Sequence, residues 1–404
     1  SKSDTSATAS VKGGQEADAN GEAPADADGS PGKTVDDQVA AQGDAAKAMG
    51  QKTTAKADAS PSTAGGSASS KLDSADTQNA KAESSEGGVS VAAAVGINVA
   101  NARAGATVGG GVTIVAGDKL TVSSTAETDA SAKADGSQVD SGQTDVGVGA
   151  AVAVNAATSS NTAVVEGGAQ VQAQGLTVSA KGQGTEKSDF AADAKSGAGA
   201  GNVGVAGSLA LNTAVTNTVA TVQTGASVNA GAGDVLVEAG NATTSTVQAG
   251  AEVEGSGDDA QVGVGASVGT NVVVNTTVAE IADGAVLGGG RDLALNASAE
   301  HEMKTEVEGG AGGAQVAVTP VAAVSVGVNT TTAHLGAGTG LDLGGSYESL
   351  AQQSSTQTTI ATGQTQGNQV AVGASLALGI ADDEVKATVE RGIEADGAVS
   401  LAAD

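Results

Sequence analysis

The chain contains no cysteine and no tryptophan, and its only aromatic side chains are Phe190 and Tyr347. The absence of cysteine excludes disulfide bonds and cysteine-based metal sites. Aromatic side chains bury the largest areas in ordinary globular cores, so a chain of 404 residues almost without them is not expected to form large conventional domains. The apolar residues are mainly valine and alanine, which predicts a thin core repeated along the chain.

Basic residues are also scarce, with 18 Lys and Arg against 46 Asp and Glu and a formal net charge of -28. Proteins that bind nucleic acid neutralise phosphates with Lys and Arg, so we expect no nucleic-acid partner. No apolar run is long enough to cross a bilayer, which predicts no membrane insertion. The N-terminus lacks the apolar segment of a secretion signal, and we interpret the chain as a fragment or processed piece.

The dominant feature is an internal repeat of the form V-x-V-G-A-x-x-A-x-N, at spacings of 54 to 59 residues. Its copies begin at Val89, Val146, Val203, Val262, Val316 and Val370. Residues 1–86 contain three of the four prolines and few apolar residues larger than alanine, which predicts a low-complexity polar segment, interpreted as a degenerate repeat with an insertion. The repeat itself predicts a six-copy β-repeat array over residues 87–404. The predicted copies are 87–143, 144–201, 202–260, 261–314, 315–368 and an incomplete 369–404.

Within each copy the residues alternate with a period of two, which is typical of a β-strand. Val262 and Val264 fall on one face of the fourth copy, whereas Gly263 and Gly265 fall on the other. We expect the valine faces to form the core. The small residues on the opposite face indicate that a neighbouring sheet or subunit approaches the backbone closely. The alternative is that exported repeats simply drift towards small residues.

Stacked repeats build a continuous core that no single copy could cover alone. The sequence therefore predicts an all-β, elongated β-solenoid built from repeats of 54 to 59 residues, with two or three coils in each repeat. The alternative is a string of tandem small antiparallel β-domains, one in each repeat. Periodicity alone does not separate these two architectures.

Four asparagines, Asn98, Asn155, Asn212 and Asn271, each lie nine residues after the first valine of their copy. Stacking would align them in a ladder in which their amides hydrogen-bond to one another. A simple turn preference of asparagine is the alternative, but it does not explain one register in four copies. We therefore predict a structural asparagine ladder.

Turn aspartates recur in the array and are candidate metal ligands, because calcium binds carboxylate and carbonyl oxygens. They are Asp118, Asp234, Asp283, Asp292, Asp342 and Asp396. Aspartate also forms turns without any metal, and that interpretation is favoured. His301 is expected on the surface, since a zinc site needs more ligands than its segment EHEMKTE offers. No cofactor is predicted, with calcium kept as the alternative, and no set of residues suggests an enzyme.

The VGVGA starts at Val146 and Val262, the NTT steps at Asn275 and Asn329, and the IADGAVL turn from Ile281 resemble repeats of giant bacterial β-strand-repeat surface adhesins and filamentous haemagglutinin-like exoproteins. The resemblance implies an extracellular or cell-surface location and a role in adhesion, biofilm or filament building. The expected function is a structural or adhesive region acting as a stiff extended rod; the alternative is a calcium- or carbohydrate-binding adhesin module. Expected partners are the protein itself, neighbouring repeats, or host and matrix glycans.

Overall fold

The computed structural model describes residues 2–10, 89–137, 145–182, 187–200, 202–255 and 261–404. All regular secondary structure in these ranges is β-strand. The strands are β1 (Lys2–Ser10), β2 (Val89–Val108), β3 (Thr113–Val115), β4 (Leu120–Thr125), β5 (Glu127–Ser137), β6 (Val146–Val165), β7 (Gln170–Gln172), β8 (Leu176–Lys181), β9 (Ser188–Ala200), β10 (Val203–Val222), β11 (Ser227–Asn229), β12 (Val235–Gly255), β13 (Val262–Ile281), β14 (Val286–Gly288), β15 (Leu293–Leu335), β16 (Leu341–Leu343), β17 (Tyr347–Val389), β18 (Ile393–Ala395) and β19 (Val399–Ala403). The described part of the chain has no helix able to span a membrane. Most of the predicted low-complexity segment, residues 11–86, lies outside the described residues.

Each repeat forms a single coil that begins at the first valine of its copy. In the fourth copy, β13 runs for 20 residues, a turn leads into the three-residue β14, and a second turn leads into β15. The turn after β13 needs Gly284, whose φ of 71° is in the left-handed region that favours glycine. β15 and β17 each continue from one coil into the next without a break.

The long strands form two layers that pack against each other. Layer A contains β2, β6, β10 and β13, followed by residues 316–335 of β15 and residues 370–389 of β17. Layer B contains β1, β5, β9 and β12, followed by the first halves of β15 and β17, and β4, β8 and β19 extend it. The short strands form separate sheets along one side, one of four strands and one of two.

Equivalent residues of successive copies are hydrogen-bonded neighbours in this arrangement. Val203 pairs with Val146 on one side and with Val262 on the other. Every strand pairing between described residues is parallel, because the chain returns to the same position after each complete coil. The predicted alternative of small antiparallel domains is therefore wrong.

The predicted elongated β-solenoid is also wrong. The long strands belong to one 13-stranded sheet that doubles back through β15, so that β1 and β2, the two ends of its path, face each other in a nearly closed, barrel-like structure. A strand of 20 residues is about 66 Å long, whereas six coils stacked about 4.8 Å apart span only about 29 Å. The molecule is wider than its stack is tall because each repeat makes one coil, not the two or three predicted.

The expectation that the valines form the core is wrong for layer A. In β13 the buried residues are Gly263, Gly265, Ser267 and their successors, whereas Val262 and Val264 point outwards. Alternation separates two faces of a strand but does not say which one is inside. The predicted close approach to the small residues is confirmed, since a Cβ on Gly265 would collide with the backbone carbonyl of Gly310 in layer B.

The space between the layers widens towards the short strands. Near the starts of the layer A strands, the interior holds mainly alanine and glycine, as at Ala206 and Ala317. Beside the short strands, larger side chains fill the interior, among them Leu293, Leu343 and Tyr347. Residue size thus follows the separation of the layers, as close packing requires.

Candidate functional site

The outward face of layer A is mainly apolar in the first half of each strand, whereas the second half is polar, as at Arg103, Thr276 and Glu384. The outward residues align in columns that run along the stack, and the column that lies two residues into each copy consists entirely of valine. That column is Val91, Val148, Val205, Val264, Val318 and Val372. A second column contains Val95, Val152, Leu209, Val268, Ala322 and Leu376. We define the apolar face as the surface formed by the outward residues of layer A from the column of Val91 to the column of Val99.

Between these two columns runs a third column of small residues and one proline. Its members are Ala93, Ala150, Gly207, Ala266, Pro320 and Ala374. A Cβ placed on Gly207 would meet no other atom. The apolar face therefore has a shallow groove flanked by two ridges of larger side chains.

The ridges are accessible although each strand is shielded by its neighbours. Leu209 and Val268, in the middle of the stack, expose 39% and 41% of their surface, and Ile97 exposes 58%. With strands about 4.8 Å apart and residues about 3.3 Å apart, the face covers roughly 800 Å². The largest apolar patch of an ordinary monomer is about 300–600 Å² and is often functional.

The outward face of layer B has the opposite character. Glu300, Glu302, Lys304, Glu306 and Glu308 alternate along β15 with buried residues and point away from the interior. Lys133 in β5 pairs with Asp193 in β9, with 3.0 Å between the Lys133 Nζ and an Asp193 carboxylate oxygen. The molecule therefore has an apolar region on the outside of layer A and a charged region on the outside of layer B.

The four asparagines proposed for a ladder lie in one buried row inside layer A. The Asn98 Nδ2 donates to the Asn155 Oδ1 over 2.8 Å, and the Asn155 Nδ2 donates to the Asn212 Oδ1 over 2.8 Å. The Asn212 Nδ2 donates to the Asn271 Oδ1 over 3.0 Å. The row also binds layer B, because the Ser245 Oγ donates to the Asn271 Oδ1 over 2.7 Å.

A second polar row, four residues further along the same strands, was missed by the sequence analysis. The Thr216 Oγ1 donates to Asn275, the Asn275 Nδ2 donates to Asn329 over 2.7 Å, and the Asn329 Nδ2 donates to Asp383 over 2.6 Å. The NTT steps at Asn275 and Asn329 were the available signal. Their spacing equals the repeat, so stacking necessarily aligns them.

His301 is buried between the layers, so its predicted surface position is wrong. Its Nδ1 lies 2.9 Å from the Thr243 Oγ1, and burial lowers the pKa of the imidazole to about 4. The alternation that places Glu300 and Glu302 outwards necessarily turns His301 inwards. The imidazole is held neutral as a structural group at neutral pH.

The six turn aspartates are not brought together into one site. Asp234 and Asp292 occupy adjacent coils, and Arg291 donates two hydrogen bonds of 2.8 Å to Asp234 and lies 3.2 Å from Asp292. These hydrogen bonds lower the pKa of Asp234. Here arginine supplies the positive charge that a calcium ion would bring.

The other four aspartates are dispersed. Asp118 accepts a hydrogen bond from the backbone N–H of Lys119, while Asp342 and Asp396 are exposed on and after the short strands β16 and β18. Asp283 alone lies beside other metal-ligating side chains, His334 and Glu390. Sequence analysis gave no role to these two residues.

Layer B carries an open depression of about 460 Å³ towards the ends of β9 and β12. Its lining includes Asp193, Lys195, Glu252, Glu306 and Glu308, with a floor of glycine and alanine. No aromatic residue lines the depression, and stacking on aromatic rings is therefore not available to a ligand there. The glycan partner remains a prediction.

Comparisons with protein-family models, with curated proteins and with solved structures give no match. The resemblance to bacterial β-strand-repeat adhesins therefore remains a prediction, as do the extracellular location and the absence of enzymatic activity.

Proposed function

We propose that this chain is a structural repeat protein that self-associates through the apolar face of layer A, with a second copy of the chain as its partner. The observation that carries the proposal is the apolar face, which spans six coils without a charged outward residue between the columns of Val91 and Val99 and includes only two polar residues, Thr213 and Thr270. Covering an exposed apolar area of this size removes it from water and is therefore favourable in free energy.

The area and the relief of the face both favour a second copy. Stable complexes bury about 800 Å² on each partner, which is the approximate area of the apolar face. The groove of small residues, such as Gly207 and Ala266, is complementary to the ridge formed by Leu209 and Val268. A two-fold axis parallel to the ridges places the ridge of each copy in the groove of the other, which is the isologous arrangement of most homodimers.

The charged face of layer B stays in water in such a pair. Sheets that pack face to face lie about 10 Å apart, with interleaved side chains, and here the two acidic surfaces would lie on the outside. The net charge of -28 on each chain opposes association and prevents unspecific aggregation. An extracellular adhesive or matrix-building role, without catalysis, follows as part of this proposal.

Sedimentation velocity of the full chain over a range of concentrations tests the proposal. We expect a dimer whose dissociation constant falls as NaCl increases, because salt screens the repulsion between two acidic chains while the apolar contact persists. Salt-weakened association would indicate an ionic interface and overturn the proposal. A chain that stays monomeric at all concentrations would overturn it as well.

The double variant Leu209→Lys/Val268→Lys locates the contact. Both side chains point outwards, so the fold should survive, and we expect the dimer to dissociate because two buried lysines cannot be paired across the interface. The matched control is Thr246→Lys/Ser298→Lys on the outward face of layer B, which should leave the dimer intact. Circular dichroism checks the fold of each variant.

Two further outcomes would contradict the proposal. Association that persists in Leu209→Lys/Val268→Lys would mean that copies pair through strand edges and not through the apolar face. A monomer that floats with neutral phosphatidylcholine vesicles, and loses this in the same variant, would assign the apolar face to a lipid surface.

A further inference from the structure

Three side chains from three successive coils meet at the end of layer A beside the short strands. Asp283 lies in the turn after β13, His334 near the end of β15, and Glu390 directly after β17. One ligating atom of each side chain lies within 4.8 Å of the other two. Within the described residues, this is the one group of three or more such side chains that comes so close together.

We propose that Asp283, His334 and Glu390 form a binding site for a divalent transition metal, with Zn²⁺ as the representative ion. Zinc binds imidazole nitrogen and carboxylate oxygen at about 2.0–2.2 Å, and three protein ligands with one open position are a common arrangement. A tetrahedral ion at that distance places its ligand atoms about 3.4 Å apart. The His334 Nε2 is 3.9 Å from the Asp283 Oδ1, so small side-chain rotations suffice.

The ligands are oriented by neighbouring groups. The His334 Nδ1 lies 2.7 Å from the Thr388 Oγ1, which leaves Nε2 towards the carboxylates. Ligating histidines typically donate their other ring N–H to such an oxygen. The backbone N–H of Ala337 donates to the Asp283 Oδ1 over 2.7 Å and holds that carboxylate in place.

The charge at the corner also favours a cation. Neither Asp283 nor Glu390 forms an ion pair with a lysine or arginine of the described chain. Arg391 lies nearby, but its buried guanidinium donates to backbone carbonyls, among them Ala285 over 3.0 Å and Ala337 over 3.3 Å. Two carboxylates and one guanidinium leave a net charge of about -1 beside the imidazole for the metal to neutralise.

Arg391 has a second consequence for the site. Its hydrogen bonds reach Ala282 and Ala285 in one coil and Gly336 and Ala337 in the next. These backbone groups flank Asp283 and follow His334, so the turns that carry the ligands are fixed before any metal binds. A metal held there would link three successive coils and would stabilise the stack against separation at its C-terminal end.

Isothermal titration of the full chain with ZnCl₂ at pH 7.5, after treatment with EDTA, tests the proposal. We expect one Zn²⁺ per chain and a rise of a few degrees in melting temperature, because a ligand of the folded state alone stabilises it. The variants His334→Ala and Glu390→Gln should bind at least about tenfold more weakly. Asp342→Asn, an exposed turn aspartate elsewhere, is the matched control and should bind like the parent chain.

Calcium serves as the second probe, because it takes oxygen ligands and does not need imidazole. We expect CaCl₂ to give no stabilisation that depends on His334. Zinc binding that is unchanged in His334→Ala, or no zinc binding at all, would overturn the proposal. Since the site lies outside the apolar face, the zinc result and the dimerisation result are independent.

Discussion

The contribution of an individual polar residue to stability depends mainly on whether its side chain belongs to one of the two buried polar rows. Asn212 is the centre of the first row: it accepts from Asn155 and donates to both Asn271 and Ser245. For a buried amide with three partners, the free-energy cost of leaving those partners unpaired is larger than the net contribution of any single hydrogen bond to stability. The asparagine rows therefore fix the register of the coils as well as stabilising them.

Substitution Asn212→Ala should lower the free energy of unfolding by about 2–4 kcal/mol, because it removes the amide oxygen that accepts from Asn155 and the buried amide N–H groups that donate to Asn271 and Ser245. Urea unfolding followed by circular dichroism measures the change. Asn217→Ala is the matched control, because Asn217 lies on the same strand with its side chain exposed, and its effect should stay within about 0.5 kcal/mol. Equal effects of the two substitutions would contradict the structural role of the row.

Acid should destabilise the protein through His301. Burial lowers its folded pKa to about 4 from its usual value of 6.5, so the unfolded chain binds a proton between these values and the folded chain does not. Stability is then complete above pH 6.5 and falls as the pH drops to 4, by about 3 kcal/mol at most. Urea unfolding at several pH values measures this slope.

The variant His301→Gln isolates the histidine contribution. Burial raises the pKa of Asp129 to about 6, which stabilises the folded state in acid and so partly masks the His301 effect. In His301→Gln the loss of stability between pH 6.5 and 4 should shrink while the Asp129 contribution stays. An unchanged pH profile would mean that His301 is charged in the folded protein.

The long strands are held by what lies between the layers and not by their outward valines. Where the layers are closest, backbone approaches backbone, and glycine occupies some of the inward positions. Gly149 and Gly265 both face backbone carbonyls of layer B, those of Gly197 and Gly310. Small residues in a strand are usually unfavourable, but here they allow the layers to make contact.

Substitution Gly265→Ala should destabilise the fold by about 1–3 kcal/mol, the usual cost of forcing extra atoms into a packed interior. Gly250→Ala is the matched control, since it adds the same methyl group to an outward position of β12, outside the apolar face, where a Cβ meets no atom; it should be neutral or slightly stabilising. Denaturant unfolding measures both. A neutral Gly265→Ala would mean that the layers are further apart than described.

The complete stack is a short, wide slab with an apolar region on one surface and an acidic region on the other. Its width comes from the 20-residue strands, and its height from the number of coils. This shape makes the surfaces of the layers, and not the ends of the stack, the largest areas available for contact. A protein of this form is suited to covering or joining surfaces.

Small-angle scattering of the monomeric Leu209→Lys/Val268→Lys variant should report the dimensions of the slab. We expect a flat particle whose dimension along the long strands, about 66 Å, exceeds the height of about 29 Å for six coils. The parent chain should give a thicker particle of similar width. A thin rod longer than the slab is wide would contradict the single-coil repeat.

The sequence by itself determined that the protein is built from β-strands, where each copy begins, and which residues become neighbours. These follow from a period of two and a spacing of 54 to 59 residues, both of which are visible in the chain. Only the tertiary structure decided that each repeat makes one coil and that the glycine and alanine face lies inside. It also decided that His301 is buried and that Asp283 meets His334 and Glu390. Alternation is symmetric between the two faces of a strand, so the inward face is chosen by the layer that packs against it.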